Sequence, residues 1–131
     1  MRRTLCAILI MHLSATSAAA QDAAAGELLY GQFCATCHGI RGEGNGPMAP
    51  VLLVQPSDLT SMTERYGEFP LLRITSRIDG RDPLVSHGSD MPIWGWFFDG
   101  EAAAMKTESG QPILTTAPIV DLVAYLATLQ D

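Results

Sequence analysis

The chain has 131 residues, with 14 acidic against eight basic side chains and a formal net charge of −6, and by length it is one small domain. Such a balance disfavours nucleic acid and anionic membrane surfaces as partners and favours a basic docking patch, the plain alternative being ordinary solubility. With eight prolines and 12 glycines, a chain of this size buries only a modest core of its own.

At the N-terminus, Arg2 and Arg3 precede an apolar run from Leu5 to Leu13 and then Ala18, Ala19 and Ala20. Together they predict a secretory signal peptide over residues 1–20, cleaved after Ala20. The run falls short of the roughly 18 residues that span a bilayer, which makes an uncleaved anchor the lesser alternative. Cleavage would leave residues 21–131 as a single domain in the periplasm with no membrane span. It would also remove Cys6 and take the net charge from −6 to −8, because Arg2 and Arg3 leave and no acidic residue does.

Asp22 predicts an N-cap for a helix running to about Cys34 that buries Gly26, Leu29, Tyr30 and Phe33 on one face. That helix leads into Cys34-Ala35-Thr36-Cys37-His38, the C-x-x-C-H pattern of covalent attachment for a c-type haem. The spacing follows the cofactor. Two cysteines three apart on a helical turn reach the two vinyl groups of one porphyrin edge, and the next imidazole turns under the iron. A thioredoxin-like dithiol would need a βαβ context, and a structural zinc two more ligands. His38 and His87 complete a Cys₂His₂ set on paper, but His38 directly after Cys37 is poorly placed to share one small ion with both sulfurs. With both cysteines consumed as thioethers no disulfide is expected, and the haem becomes the covalent staple that couples folding to the cofactor.

Gly39, Gly42, Gly44 and Gly46 lack the preceding strand and the Gly-Lys-Ser/Thr of a phosphate loop. They predict a tight loop whose backbone passes close to something flat, the haem. A middle helix begins near Pro70, uses Leu71, Ile74 and Ile78, and stops at Gly80. Phe97 to Pro118 is a long connection, either a surface excursion or a docking element. Thr116 caps a last helix with Pro118 in its first turn and an apolar stripe of Ile119, Leu122, Val123, Leu126 and Leu129. No alternation pattern predicts strands.

On these residues the chain resembles the class I cytochromes c. Gly26 and Tyr30 match that family's N-terminal helix, where a glycine admits a close crossing. Asp121-Leu122-Val123-Ala124-Tyr125-Leu126 is similar to its C-terminal helix, with Leu122 and Tyr125 at the crossing and against the haem. Gly44-Asn45-Gly46-Pro47 and Pro56-Ser57-Asp58-Leu59-Thr60 are similar to bacterial members that act as soluble carriers or as haem domains of dehydrogenases and oxidases. The resemblance covers residues 22–130 and implies an all-α class I cytochrome c fold: N- and C-terminal helices crossing, with a middle helix and long loops around one covalent haem c.

The resemblance makes His38 the proximal iron ligand and gives the Pro47 carbonyl the hydrogen bond from its second ring nitrogen, a plainer role for Pro47 being to stiffen a turn. For the distal ligand, Met91 lies in Asp90-Met91-Pro92-Ile93-Trp94-Gly95, which resembles the family's ligand loop. Met48 is only ten residues beyond His38, and Met62 and Met105 sit in helix-like sequence where methionine is core filler or surface. His87 is the rival, giving a bis-histidine site, or else a plain loop histidine. Trp94 and Trp96 flank the haem or reach a propionate, or simply pack. Arg73, Arg77 and Arg81 pair with propionates or form a solvated face. The implied function is one-electron transfer between a donor and an acceptor redox protein by a carrier that is not an enzyme, monomeric or held as a subunit. A fixed cytochrome subunit of a periplasmic oxidoreductase, or a gas sensor or peroxidase with an opened distal position, are the other readings.

Overall fold

Asp22 caps the first helix, α1 (Ala23–Phe33), in the computed structural model, which describes residues 21–82, 89–107 and 109–130. Its carboxylate accepts the amides of Ala24 and Ala25 at 3.0 and 3.1 Å, donors that have no partner within the helix. The amide of Asp22 itself donates to Asp121 Oδ1 at 2.9 Å, in the last helix, here α5 (Ala117–Thr128). The two helices cross at Gly26, where an added Cβ would overlap the Asp121 carbonyl and lie 2.9 Å from Tyr125 Cβ. Only a residue without a side chain admits backbones this close. Tyr30, 1% exposed, sits one turn further on with its ring 5.2 Å from that of Tyr125. Its hydroxyl donates to the Gly39 carbonyl at 2.6 Å, so burial leaves no orphaned polar atom.

Helix α5 buries Ile119, Val120, Leu122, Val123 and Leu126; of the expected stripe Leu129 alone is only partly buried. A single turn, α2 (Ala35–His38), follows α1 after a break at Cys34. Two further helices, α3 (Met62–Tyr66) and α4 (Leu71–Asp79), end at Gly67 and Gly80 in the left-handed conformation. For α4 the expected start, buried residues and stop all hold: Pro70 occupies the N-cap, and Ile74 and Ile78 enter the core. Five helices thus dominate the described residues.

The expectation of no strands does not hold. Ala102–Lys106 (β1) and Pro112–Thr116 (β2) pair antiparallel, with Ala102 opposite Thr116 and Met105 opposite Ile113. Ala-Ala-Ala-Met-Lys carries strong helix formers, so local propensity pointed the wrong way. Cross-strand pairing and the burial of Met105 and Ile113 against the helices outweigh it. Met105 is therefore core on a strand, not part of a helix. Thr116 does occupy the N-cap of α5, but its hydroxyl donates to the Phe98 carbonyl at 2.7 Å and caps nothing. The side chain instead ties the two ends of the Phe97 to Pro118 excursion to each other.

Substituting Gly26→Ala should lower the stability of the holoprotein by about 1–3 kcal/mol, because the new methyl meets backbone that cannot yield cheaply. Gly31→Ala, in the same helix with open space around it, should leave the midpoint level or raise it. Urea unfolding of the two variants checks the crossing, and an unchanged midpoint for Gly26→Ala would refute it.

Candidate cofactor site

The short helix α2 ends in four carbonyls that no further turn can satisfy. The loop after it supplies the donors. The amides of Gly39, Met48, Gly46 and Gly44 donate to the carbonyls of Ala35, Thr36, Cys37 and His38 at 2.8, 3.0, 3.1 and 2.8 Å. Gly46 has to come so close that an added Cβ would lie 2.6 Å from the Cys37 carbonyl carbon. The glycines thus bring the loop against the protein's own backbone, and the flat neighbour expected for them is the motif helix rather than the cofactor. None of Gly39, Gly42, Gly44 or Gly46 lines the cavity beside the motif.

His38 Nδ1 lies 2.9 Å from the Ser57 carbonyl. A carbonyl only accepts, so Nδ1 carries the proton and the Nε2 lone pair is left for a ligand. The expected acceptor, the Pro47 carbonyl, is not the partner. The amide of Met48 points at Thr36, and N–H and C=O of one trans peptide point in opposite directions, so the Pro47 carbonyl faces away from α2. Pro47 itself is exposed. Ser57 is held on its C-terminal side. Asp58 accepts from the amide and hydroxyl of Thr60 at 2.8 and 2.7 Å, and these bonds hold its carboxyl below its usual range. Next to it, Leu59 donates to the Gly42 carbonyl at 2.6 Å and accepts from Gln130 at 2.7 Å.

Cys34, Cys37 and His38 open onto a cavity of about 400 Å³. Tyr30 and Phe33 from α1, Ile74 and Ile78 from α4, and Leu122 and Leu126 from α5 give it an apolar lining. Met91 lines it as well. Its amide donates to Ser89 Oγ at 3.2 Å, which in turn lies 3.4 Å from Arg77 Nη1. The loop beyond Met91 closes on α4 through the Trp94 amide and the Ile78 carbonyl, 2.8 Å apart, and an added Cβ on Gly95 would overlap the Asp79 carbonyl. A second methionine, Met62 at the start of α3, also lines the cavity. Its helical context is that of core filler or surface, and nothing in the neighbouring residues signals the cavity. Met48 is exposed and Met105 is buried away from the cavity. His87 and the signal region, residues 1–20, lie outside the described residues.

Tyr125 does not reach the cavity; it packs at the helix crossing, because Leu122 and Leu126 occupy the α5 face turned to the motif. Trp94 does line it, stacked on Phe98 with centroids 5.7 Å apart, whereas Trp96 points to solvent. Arg73 and Arg77 line the rim as supposed, joined by Arg65. Arg81 does not, since it is held by Asp79 and the Leu114 carbonyl. Six cations remain outside residues 1–20, namely Arg41, Arg65, Arg73, Arg77, Arg81 and Lys106. Half of them therefore face one cavity of an otherwise acidic chain.

These residues fit a covalently held porphyrin. Two thiols and an imidazole with a fixed tautomer share one wall, thioether side chains and apolar groups surround the space, and guanidinium groups at the rim suit carboxylates. Burial, and then the neighbouring Cys37, push the Cys34 thiol up to about 12, so it is uncharged at neutral pH. Among the described residues no group of three or more His, Cys, Asp or Glu side chains is placed to hold a metal ion, which leaves the zinc reading without a ligand set there. No helix among them is long and apolar enough to cross a membrane.

Comparison with curated proteins and with solved structures returned no match. The family described as Cytochrome c matches residues 23–130, from the first residue of α1 to just beyond α5. With the attachment motif inside that span and the cavity beside it, the chain belongs to the cytochrome c family, whose members bind haem c covalently and transfer electrons through its iron.

Proposed function

We propose that the chain is a class I, single-haem cytochrome c that carries one electron between redox proteins in the periplasm, after removal of residues 1–20. His38 and Met91 are the residues that would ligate its iron. The observation that carries this reading is that Cys34, Cys37, His38 and Met91 face one largely apolar cavity. When bound, haem c supplies an iron that cycles between ferric and ferrous. The chain's residues do the rest. Cys34 and Cys37 would hold one edge as thioethers, and the Ser57 carbonyl orients the His38 ring. The Met91 thioether and the apolar lining both favour the less charged ferrous centre, which raises the reduction potential. Arg65, Arg73 and Arg77 offer the cationic side toward which propionates turn. Side chains of both His38 and Met91 on the iron would leave no position for a substrate, which suits a carrier rather than an enzyme.

Met91 is preferred over Met62 on the course of the chain. Met62 follows Ser57, the His38 acceptor, by five residues and so arrives with the proximal wall. Met91 arrives on a separate loop docked to α4.

The haem should stay with the polypeptide through acid and organic extraction and stain on denaturing electrophoresis; colour lost from the wild-type holoprotein would remove the attachment through Cys34 and Cys37. Met91→Ala should keep the covalent haem, lose the thioether-to-ferric charge-transfer band and lower the potential, while Met62→Leu and His87→Ala leave both nearly unchanged. An intact band in the Met91 variant reassigns the ligand to whichever other variant loses it. Electron exchange with the natural partner should slow as salt is added through the range where the Debye length shrinks to about 10 Å, near 0.1 M. The sign follows from the net charge of −8 left by removing Arg2 and Arg3. Stopped-flow rates that stay flat or rise would remove the electrostatic part and leave the carrier role.

A further inference from the structure

The aromatic contacts around the cavity continue past its wall. Phe33 and Trp94, which both line it, meet Phe97 with ring centroids 4.9 and 5.7 Å apart. Phe97 in turn meets Trp96 at 5.9 Å, and Trp96 is 79% exposed. The backbone turn that carries the outward ring is fixed. The amides of Phe97 and Phe98 both donate to the Trp94 carbonyl, at 2.8 and 2.9 Å, and Gly95 is pressed against Asp79. A large apolar ring held in water by a tight turn forgoes burial that would stabilise a monomer, yet it is pre-ordered for contact with something else.

Charge selects among possible occupants. The stretch from residue 89 to 105 carries exposed Asp90, Asp99 and Glu101 and no Lys or Arg. The cavity lining itself, with Arg65, Arg73 and Arg77, is cationic and would repel a basic protein. We propose that Trp96 and Phe97 are the docking surface for a basic redox protein, and that the electron crosses from it through the contacting rings to the cofactor. This rests on the carrier reading and gives that reading a face and a partner chemistry: an apolar socket for the indole ringed by Lys or Arg. One electron leaves the partner and arrives at the iron. No bond forms or breaks, no proton moves, and the rings remain neutral bridges. Tryptophan is among the residues that dominate interface energetics, and carboxylates around it steer the encounter.

The holoprotein can be tested on a gold electrode coated with a mixed monolayer of ammonium- and methyl-terminated alkanethiols, which stands in for the basic apolar socket. Two quantities are read: the amount adsorbed, by quartz-crystal microbalance, and the interfacial electron-exchange rate, by voltammetry. Trp96→Ser should lower the rate at least about tenfold, the loss of a hot-spot side chain, and weaken adsorption, with haem content and midpoint potential unchanged. Asp99→Asn combined with Glu101→Gln should weaken adsorption. Leu28→Ser, which removes an equally exposed apolar side chain from α1, should change neither. A Trp96→Ser variant that adsorbs and exchanges like wild type overturns the proposal. So does a wild-type dimer in sedimentation that Trp96→Ser abolishes, since the occupant would then be a second copy of the chain. If instead wild type gives no reversible one-electron wave even with small soluble mediators, the carrier reading has failed, an outcome distinct from the loss of the docking face.

Discussion

The close crossing of α1 and α5 at Gly26 is the constraint on which the remaining structure depends. It sets the distance between the two ends of the matched span, ties the Asp22 amide to Asp121, and puts Tyr30 under Tyr125. Because Cys34 follows α1 directly, fixing α1 also fixes the attachment motif over the face of α5 that carries Leu122 and Leu126. A methyl at position 26 would separate the helices, and the cavity between motif and α5 would lose its floor. Tyr30 extends the same constraint forward, since its hydroxyl holds Gly39 just beyond the motif.

The side chains proposed as ligands are kept in place by backbone hydrogen bonding rather than by bulk packing. Four carbonyls at the end of α2 are satisfied by four amides from one glycine-rich loop. The next segment presents the Ser57 carbonyl to His38, with neighbours held by Gly42, Thr60 and Gln130. Buried or half-buried polar backbone that is fully paired is stiff, and a ligand imidazole needs that stiffness to keep its tautomer and direction. On the far side Met91 is held by Ser89 and by the docking of its loop on α4, so the two ligand candidates sit on separately supported walls.

The electrostatics are uneven in a way that the net charge conceals. The chain is acidic, yet Arg65, Arg73 and Arg77 gather at the cavity, where anionic groups of a cofactor would be received. Arg73 lies over the Tyr66 ring, 5.3 Å from its centroid, and Arg77 reaches both Asp82 and Ser89. Among the described residues one carboxylate, Asp90, joins the cavity lining, and Asp99 and Glu101 lie on the exposed surface near Trp96. At long range the chain presents net negative charge, while its cavity carries three guanidinium groups.

Much of the candidate site was legible in the order of residues. Cysteines three apart followed by histidine encode a geometry of a few ångströms within one helical turn, and the Gly26 to Leu126 pattern of apolar faces fixes which sides of α1, α4 and α5 are buried; both are short-range consequences of helical periodicity. The tertiary structure alone decided what depends on contacts between distant segments. Which carbonyl receives the His38 proton turned on the direction of the Pro47–Met48 peptide, set by Thr36 eleven residues earlier. Whether Ala102 to Lys106 became a strand turned on its pairing with Pro112 to Thr116, against local propensity. That Tyr125 serves the crossing while Met62 joins the cavity depended on how α5 and α3 are rotated, which no spacing within either helix specifies. Composition and periodicity act over a few residues along the chain, and these choices were made across it, where close packing and backbone hydrogen bonding select one arrangement among many with the same local pattern.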